Sequence, residues 1–404
     1  MKRVLLHIAT AAMVVILAAV TAFGGGFQLN EHGARAMAQG GAWAARAYDL
    51  SAIYFNPAGL AGQRGMQMYL GSTIIIPKGS YFNTFNQETK MVDQVFPPIN
   101  LYASYEIEDG MTAAIGVYNP FGLGSEWPSN WEGKLFAQKI DLQSFFITPS
   151  IGYRVTPELS VGAGVSYAIG NVKLKGLPDT WIFSAPPPQL NLTLNATGIG
   201  FSFGAIYKVM PELQVGFSYR SSVKMNATGT ASFNPDYTSI PLPKGDASAS
   251  LTLPSTFFVG ASYKIGDLEI EADYQSIGWS VYDQLKIDFA SDPSASIVAP
   301  RKYKDSFILR VGAEYTMGKL QLRCGYLYDK SPVPTAYVEP QLPDANRNGF
   351  NVGLGFKMGN SMTLDLAYLY LPFDERKVTN AANGFNGTYK SIANLFGANI
   401  GFSL

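Results

Sequence analysis

From Met66 onward, apolar and polar residues alternate with a period of two along most of the chain. In residues 268–275, leucine, isoleucine, alanine and tyrosine alternate with glutamate, aspartate and glutamine, as expected of a strand with one apolar face. The same alternation recurs in residues 306–315, 321–326 and 396–404. After the apolar N-terminal run, no long stretch has a helical period. The pattern therefore predicts an all-β chain.

The breaks between the predicted strands come in two lengths that alternate along the chain. Short turns lie at 108–110, 156–158, 210–212, 266–267, 318–319 and 359–361. Long polar or proline-rich connections lie at 80–97, 122–137, 175–190, 231–248, 290–303, 331–347 and 372–390. The segments between these breaks number 14, an even count that places both ends of the sheet on the side of the short turns. Short turns on one side and long loops on the other are typical of bacterial outer-membrane barrels, whereas a soluble sandwich has no reason to segregate its loops by length. We therefore expect a 14-stranded antiparallel transmembrane β-barrel in the outer membrane.

Composition excludes several classes of function. Lys plus Arg (30) equal Asp plus Glu (30), so no basic surplus is present to bind nucleic acid through its phosphates. Two His and one Cys are too few for a structural zinc site or an intrachain disulfide, and we predict no metal and no cofactor. The 23 Tyr residues suit aromatic girdles at the two membrane interfaces, and those near predicted strand ends include Tyr153, Tyr207, Tyr219, Tyr263, Tyr315, Tyr326 and Tyr368.

The N-terminus has the pattern of a secretory signal. A positive start at Lys2 and Arg3 precedes an apolar run that ends in small residues near Ala22. An N-terminal transmembrane helix is the alternative, but the apolar core is short and ends in three glycines. We predict a signal peptide over residues 1–22, so that the mature chain starts near Phe23.

Residues 23–64 do not alternate and are rich in Gly and Ala. Their apolar side chains require burial, and the nearest place is the barrel interior: Phe27, Leu29, Trp43, Leu50, Ile53, Tyr54 and Phe55. A 14-stranded barrel is wider than the roughly eight-stranded type that its own side chains can fill. We therefore expect a plug, or hatch, over 23–64 inside a barrel formed by 65–404.

The motifs of this region closely resemble the N-terminal hatch of the FadL/TodX family of outer-membrane transporters. They are Gly26-Phe27-Gln28-Leu29-Asn30-Glu31, Gly40-Gly41-Ala42, Asp49-Leu50-Ser51-Ala52 and Asn56-Pro57-Ala58-Gly59-Leu60. The likeness continues in order through residues 120–127, 253–255, 273–280, 326–334 and 342–344, so it covers almost the whole mature chain. One departure is the final Leu404, where barrel proteins often end in Phe or Tyr.

The resemblance implies a passive transporter of long-chain fatty acids or other hydrophobic molecules, acting as a monomer among outer-membrane lipids. Ligand is expected to bind first to apolar surface among the external loops, to pass to a pocket against the hatch and to leave sideways through a gap in the wall. The alternative is a general porin for small hydrophilic solutes. An adhesive or structural surface barrel is a third possibility, but its loops look short. An enzyme is not expected, because the nucleophile-elbow pattern at 200–204 lies in an alternating strand and the only mature histidine is His32.

The candidate functional residues fall into three groups. Ligand contacts are expected from Phe27, which could equally be a plain anchor, and from Leu177, Trp181, Ile182 and Phe183, whose alternative role is packing within their own loop. A kink at Asn119, Pro120, Phe121 and Gly122 would leave the wall locally unpaired, unless the strand simply ends at Tyr118. Asn56, Pro57 and Ala58 form either a tight turn or a hatch element near the gap. Charges in the lumen, among them Arg310 and Arg323, are expected to pair with one another, although a ligand carboxylate could use either arginine.

Overall fold

The chain folds into one closed antiparallel β-sheet, seen in a computed structural model that describes residues 25–177, 188–236, 242–359 and 361–404. The strands are β1 (Met66–Phe82), β2 (Glu88–Lys90), β3 (Ile99–Glu108), β4 (Met111–Tyr118), β5 (Gly122–Glu126), β6 (Lys139–Arg154), β7 (Leu159–Gly176), β8 (Gln189–Met210), β9 (Leu213–Arg220), β10 (Val223–Asn234), β11 (Gly245–Leu253), β12 (Thr256–Ile265), β13 (Leu268–Ile277), β14 (Gln284–Phe289), β15 (Ile297–Pro300), β16 (Ser306–Met317), β17 (Leu320–Asp329), β18 (Arg347–Met358), β19 (Met362–Pro372), β20 (Arg376–Val378) and β21 (Gly387–Ser403). Two short α-helices, α1 (Ala34–Met37) and α2 (Ala52–Phe55), precede the sheet. Short 3₁₀ helices cover Pro57–Gly62, Trp279–Val281, Pro293–Ala295 and Thr335–Tyr337.

The predicted 14-stranded barrel is confirmed within these described residues. The wall runs in the order β1, β3, β4, β6, β7, β8, β9, β12, β13, β16, β17, β18, β19 and β21, and each strand pairs antiparallel with the next. β21 pairs with β1 from Gln67↔Ser403 to Phe82↔Thr388, which closes the sheet. Strands β5, β10, β11 and β14 continue wall strands beyond a break, and β2, β15 and β20 extend the connections.

Tight turns join the strands on the side where β1 begins and β21 ends. Four of them have a glycine in the left-handed region, at Gly110 (φ 83°), Gly266 (φ 59°), Gly318 (φ 62°) and Gly359 (φ 67°). Two-residue hairpins need positive φ, which glycine adopts without steric penalty. The wall strands that border the long connections therefore end at the other end of the barrel.

Alternation along the strands sorts side chains between lipid and lumen. The outer face is apolar, with Val165, Ile199 and Phe201 each at least half exposed. Ionisable residues such as Glu271 and Arg323 are buried on the inner face. This arrangement satisfies the backbone within the wall and turns apolar side chains to the bilayer. Among the described residues, no helix is long and apolar enough to span a bilayer.

Residues 25–65, termed here the N-terminal segment, lie inside the barrel. Ala34 N–H donates to Asn399 on β21 (2.9 Å), and Asn351 on β18 donates to the carbonyl of Met37 (2.6 Å). At another part of the wall, the backbone of Pro57 contacts Gly162 on β7. Contacts with distant wall strands place the segment across the lumen. The predicted signal, residues 1–22, lies outside the described residues.

Candidate ligand cavity and wall opening

The third wall strand is interrupted between β4 and β5. Tyr118 pairs with Phe146 and Gly122 pairs with Gln143, so this strand advances four residues while β6 advances three. The extra residue is a bulge, and Pro120 within it has no N–H to give to a ladder. The strand therefore does not end at Tyr118 but resumes on the same partner, β6.

Polar side chains satisfy the backbone groups that the interruption leaves unpaired. The side-chain amide of Asn119 accepts from Ile99 N–H (2.8 Å) and donates to the carbonyl of Ser144 (2.6 Å). The hydroxyl of Ser144 accepts from Phe121 N–H (3.1 Å) and donates to the carbonyl of Phe121 (2.6 Å). Because a buried backbone group without a partner is costly, these contacts make the break a stable feature of the wall.

An opening in the wall follows from this break. The last pair between β3 and β4 is Asn100↔Tyr118, and backbone hydrogen bonding between the two chain segments resumes where Val92 N–H donates to the carbonyl of Glu126 (2.8 Å). Between these points residues 92–98 lie alongside β1, with Phe96 paired to Ile75, while β5 pairs with β6. We term the opening bounded by residues 92–100 and 118–126 the wall window.

The start of the N-terminal segment crosses the inner side of the wall window. Gly122 N–H donates to the carbonyl of Phe27 (3.0 Å), and Leu29 N–H donates to the carbonyl of Pro120 (2.9 Å). Gln28 and Phe121 form the antiparallel bridge between these bonds. Residues 27–29 thus act as a short strand added to the interrupted one.

Aromatic rings hold Phe27 in place. Its ring lies 4.7 Å from that of Trp279, 5.8 Å from that of Tyr282 and 6.0 Å from that of Phe121 between centroids, all edge to face. Trp279 belongs to the 3₁₀ helix that separates β13 from β14, and its indole lies where a Cβ on Gly26 would be. Edge-to-face aromatic contacts at these distances are attractive beyond the area they bury.

A cavity of about 420 Å³, termed here the inner cavity, connects the lumen with the wall window. Leu327, Leu371 and Leu395 line it from β17, β19 and β21, and Phe145, on the lipid side of β6, is 37% exposed and lines its other end. Further lining residues come from the N-terminal segment and the window: Phe27, Leu29, Glu31, Phe96, Asn119, Phe121 and Leu123. The cavity therefore extends from the lumen to the wall at the window.

A second cavity of about 120 Å³, termed the loop-side cavity, lies toward the long connections. Its walls are almost wholly apolar and include Leu142, Val172, Leu192, Leu251 and Ile287. Phe27 and Phe121 line both cavities, so this ring pair lies between them. Apolar walls with few polar groups are typical of sites for hydrophobic ligands.

The arginines that line the two cavities are already paired. Arg347 contacts Asp344 (2.6 Å) and Asp329 (3.7 Å) and donates to the carbonyl of Gly26 (2.7 Å). Arg301 contacts Glu339 at 2.5 Å. Binding of a ligand carboxylate to either arginine would have to displace an existing carboxylate.

Deeper in the lumen, the predicted pairing of charges holds for Arg323, whereas Arg310 forms no ion pair among the described residues. Arg323 contacts Glu314 (2.6 Å) and Asp365 (2.5 Å), and Arg35 of the N-terminal segment also contacts Glu314 (2.8 Å). Arg310 donates to Gln275 (2.5 Å). The network ties the N-terminal segment to β16, β17 and β19.

A second charged contact ties the end of the N-terminal segment to a short turn. Arg64 lies against Glu106 (2.5 Å) and Asp109. The Arg64 guanidinium holds the pKa of Asp109 below its usual range, through a hydrogen bond and charge attraction. Both ends of the segment are therefore fixed to the wall.

The predicted hatch turn lies at a different part of the wall from the window. Asn56 donates to the carbonyls of Ala44 (2.7 Å) and Ala205 (3.2 Å), and its side-chain oxygen accepts from Ala58 N–H (3.1 Å). Asn56 therefore caps the 3₁₀ helix that begins at Pro57 and fixes it to β8. The residues that contact the kink are Phe27 and Leu29 instead.

The external-loop residues can be placed only in part. Leu177 is half-buried directly after β7, whereas Trp181, Ile182 and Phe183 lie outside the described residues. Sequence reasoning did not assign Trp279, Tyr282 or Phe96 to the site. A signal existed for the first two, since Gly278 ends the alternation of β13 and two large aromatic residues follow it.

Comparison with known proteins supports this architecture. A family model described as "Outer membrane protein transport protein (OMPP1/FadL/TodX)" matches residues 15–404. Outer membrane protein P1 of Haemophilus influenzae is 27% identical over 356 residues, covering 78% of this chain and 76% of that protein. The long-chain fatty acid transport protein of Escherichia coli K12 is 22% identical over 438 residues, covering 97% of each chain.

Solved structures share the fold. A FadL homologue of Pseudomonas aeruginosa superposes with a TM-score of 0.81 at 19% identity, covering 94% of this chain and 100% of that one. The toluene transporter TbuX of Ralstonia pickettii superposes with a TM-score of 0.73 at 20% identity, covering 93% and 99%.

Proposed function

Because the chain belongs to the OMPP1/FadL/TodX family of outer-membrane transport proteins, we propose that it is a passive channel for hydrophobic molecules, either long-chain fatty acids or aromatic hydrocarbons. The observation that carries the proposal is the inner cavity, whose largely apolar lining extends from the lumen to an opening in the lipid-facing wall. A molecule that partitions into lipid gains by leaving sideways into the membrane, and needs no water-filled route along the axis. No energy source is required beyond a concentration gradient.

The proposed route has three steps. Ligand binds first to apolar surface of the external loops, with Leu177, Trp181, Ile182 and Phe183 as candidate contacts. It then enters the loop-side cavity and passes the Phe27–Phe121 ring pair into the inner cavity. It leaves through the wall window, where Asn119, Pro120, Phe121 and Gly122 keep β4 and β5 apart.

The N-terminal segment is proposed to act as the hatch. Its residues 27–29 are held to the kink by two backbone hydrogen bonds, each worth about 1 kcal/mol net, so a ligand could displace them. The turn at Asn56, Pro57 and Ala58 keeps its structural role and fixes the rest of the hatch to β8. Opening thus requires only the first residues of the segment to move.

Two further expectations accompany the proposal. The mature protein is proposed to begin near Phe23 after removal of residues 1–22, with the hatch over 23–64 and the barrel over 65–404. It is proposed to act as a monomer among outer-membrane lipids, since closure of β21 onto β1 leaves no free sheet edge for a partner.

Uptake measurements test the function directly. Labelled oleate, toluene and sucrose are supplied to cells that lack their own transporter of this class and express the protein. The matched variant lacks Pro120. This deletion removes the extra residue of the bulge and allows β4 and β5 to pair with β6 as one continuous strand. Saturable uptake of oleate or toluene that this variant loses is expected.

Sucrose uptake without the two hydrophobic probes would favour the general porin instead. The porin is disfavoured because the N-terminal segment fills the lumen with fully buried side chains such as Trp43 and Phe55. Correct folding of the variant is checked by heat-modifiable gel mobility of the closed barrel.

A further inference from the structure

One aromatic side chain, that of Phe96, spans the wall window. Its N–H donates to the carbonyl of Ile75 (2.9 Å), and its carbonyl accepts from Ile75 N–H (2.8 Å), so its backbone belongs to the β1 side. Its ring reaches β5 on the other side, where ring atoms occupy the position that a Cβ on Gly124 would take. Among the described residues, β5 has no ladder pairing with the segment that carries Phe96. The ring thus bridges two chain segments that separate at this level.

The ring of Phe96 occupies the space that a side chain at residue 124 would need. The backbone of Gly124 is outside the left-handed region, so no turn requires a glycine there. Any side chain at this position would collide with the ring. Gly124 and Phe96 are therefore a matched pair, one of which leaves the space that the other fills.

The ring of Phe96 is held less firmly than that of Phe27. Phe27 packs against three aromatic rings, whereas in the part of the chain that the structure describes Phe96 pairs with none. Phe96 is half-buried and stands apart from the buried apolar core, against which nearby Met91 and Leu123 pack. Rotation about its Cα–Cβ bond would displace the ring without breaking either backbone hydrogen bond to Ile75.

We propose that Phe96 determines the specificity of the lateral exit: its ring closes the wall window between β1 and β5, and its displacement sets the width of molecule that can leave. The inference rests on the proposed function, because it assigns one residue to the exit step of that route. Phe96 and Phe27 line the same inner cavity, so a ligand that has passed Phe27 meets the ring of Phe96 before it reaches lipid.

A purely structural role predicts different behaviour. An aromatic ring over a glycine on a neighbouring strand stabilises a sheet edge. If that were its only role, removing the ring would lower stability and leave the discrimination between ligands unchanged. Selectivity, rather than total uptake, is therefore the decisive measurement.

The test compares hydrophobic probes of different width. Cells lacking their own transporter of this class are supplied with labelled trans-decalin, which is wide, and with n-decane and oleate, which are slender. The quantity compared is the ratio of trans-decalin uptake to uptake of each slender probe. Phe96→Ala is expected to raise this ratio by about threefold or more, since the wider probe is the one that the ring obstructs. Gly124→Ala is expected to raise it as well, because the new methyl group displaces the ring.

The double variant and a control sharpen the result. Phe96→Ala combined with Gly124→Ala is expected to match Phe96→Ala alone, since the methyl group has no ring left to displace. Phe85→Ala removes an aromatic ring from the same connection, but that ring is 84% exposed at the loop tip and should leave the ratio unchanged.

Different results would contradict the role of Phe96 and the proposed transport function. If the unmodified protein takes up a slender probe but neither single variant alters the ratio, Phe96 has only a structural role and the inference is wrong. If the unmodified protein takes up neither a slender probe nor toluene above the level of cells without it, the proposed function itself is wrong.

Discussion

The carbonyl of Phe27 accepts a hydrogen bond from the N–H of Gly122 across 3.0 Å, which joins the start of the N-terminal segment to the interrupted wall strand. One backbone contact therefore links the inner lining of the cavity to the edge of the wall window. Phe27 also packs its ring against Trp279, so this residue is held both through its side chain and through its carbonyl. Loosening either contact should open the same passage.

Trp279→Ala tests this coupling from the side of the ring. Truncation of a fully buried tryptophan typically destabilises its surroundings by about 3–5 kcal/mol, and here the loss falls on Gly26 and Phe27. We expect faster proteolysis of the N-terminal segment and greater sensitivity of cells to large hydrophilic antibiotics. The matched control is Trp131→Ala, since Trp131 is also buried but stacks on Trp127 within an external loop. Equal proteolysis in both variants would contradict the coupling.

A replacement for Asn119 is expected to preserve barrel stability only if its side chain can both donate and accept a hydrogen bond. Asn119→Ala leaves Ile99 N–H and the carbonyl of Ser144 without partners, which should lower barrel stability by about 2 kcal/mol. Asn119→Asp retains the acceptor for Ile99 but places a second oxygen against the carbonyl of Ser144 in a buried site, so it should destabilise the barrel at least as much as alanine. Urea unfolding of the detergent-solubilised barrel measures both. Wild-type stability in the alanine variant would show that the window does not depend on this side chain.

The fold was predictable because its causes are local and periodic. Alternation in residues 268–275 predicted β13 together with the side that faces the lumen, and the glycines at 110, 266, 318 and 359 marked the short turns. Pro120 likewise marked the interruption of the third strand, since a missing N–H acts wherever the residue lies.

The candidate site was less predictable because its contacts are distant in sequence. Nothing near Gly124 indicates that a phenylalanine from the preceding connection will lie on it. Asn56 precedes a proline, which favours a tight turn, but only the tertiary structure shows that this segment lies on β8. Pairing of Phe27 with Gly122 depends on how far the N-terminal segment reaches across the lumen.

The N-terminal segment packs directly against glycines of the wall, and Gly216 on β9 is the clearest case. The carbonyl of Ala44 and the Cα of Ala45 lie within contact distance of where a Cβ on residue 216 would be, so Gly216→Ala must push the backbone of the segment away. We expect loss of protease protection in residues 40–50 while the barrel stays closed. Gly62→Ala is the control, because a Cβ there meets no atom within 4 Å. Unchanged protection in Gly216→Ala would mean that the segment does not pack against Gly216 as described.

The buried ion network should matter more than any exposed pair. Arg323 is within reach of both Glu314 and Asp365, and its side chain is only 2% exposed. Replacing it by methionine keeps most of its volume but leaves two buried carboxylates without that partner, which typically costs about 3–5 kcal/mol. Lys302→Met removes the exposed ion pair with Asp283 and should change stability by less than about 1 kcal/mol. The measurement is the urea midpoint of each folded barrel, with slopes compared so that a change in midpoint reports stability alone. Because Arg35 of the N-terminal segment contacts Glu314 of the same network, the Arg323 variant should also release the segment to protease before the barrel unfolds. Equal midpoints for the two methionine variants would contradict the stabilising role of the network, and unchanged protease protection would show that it does not hold the segment.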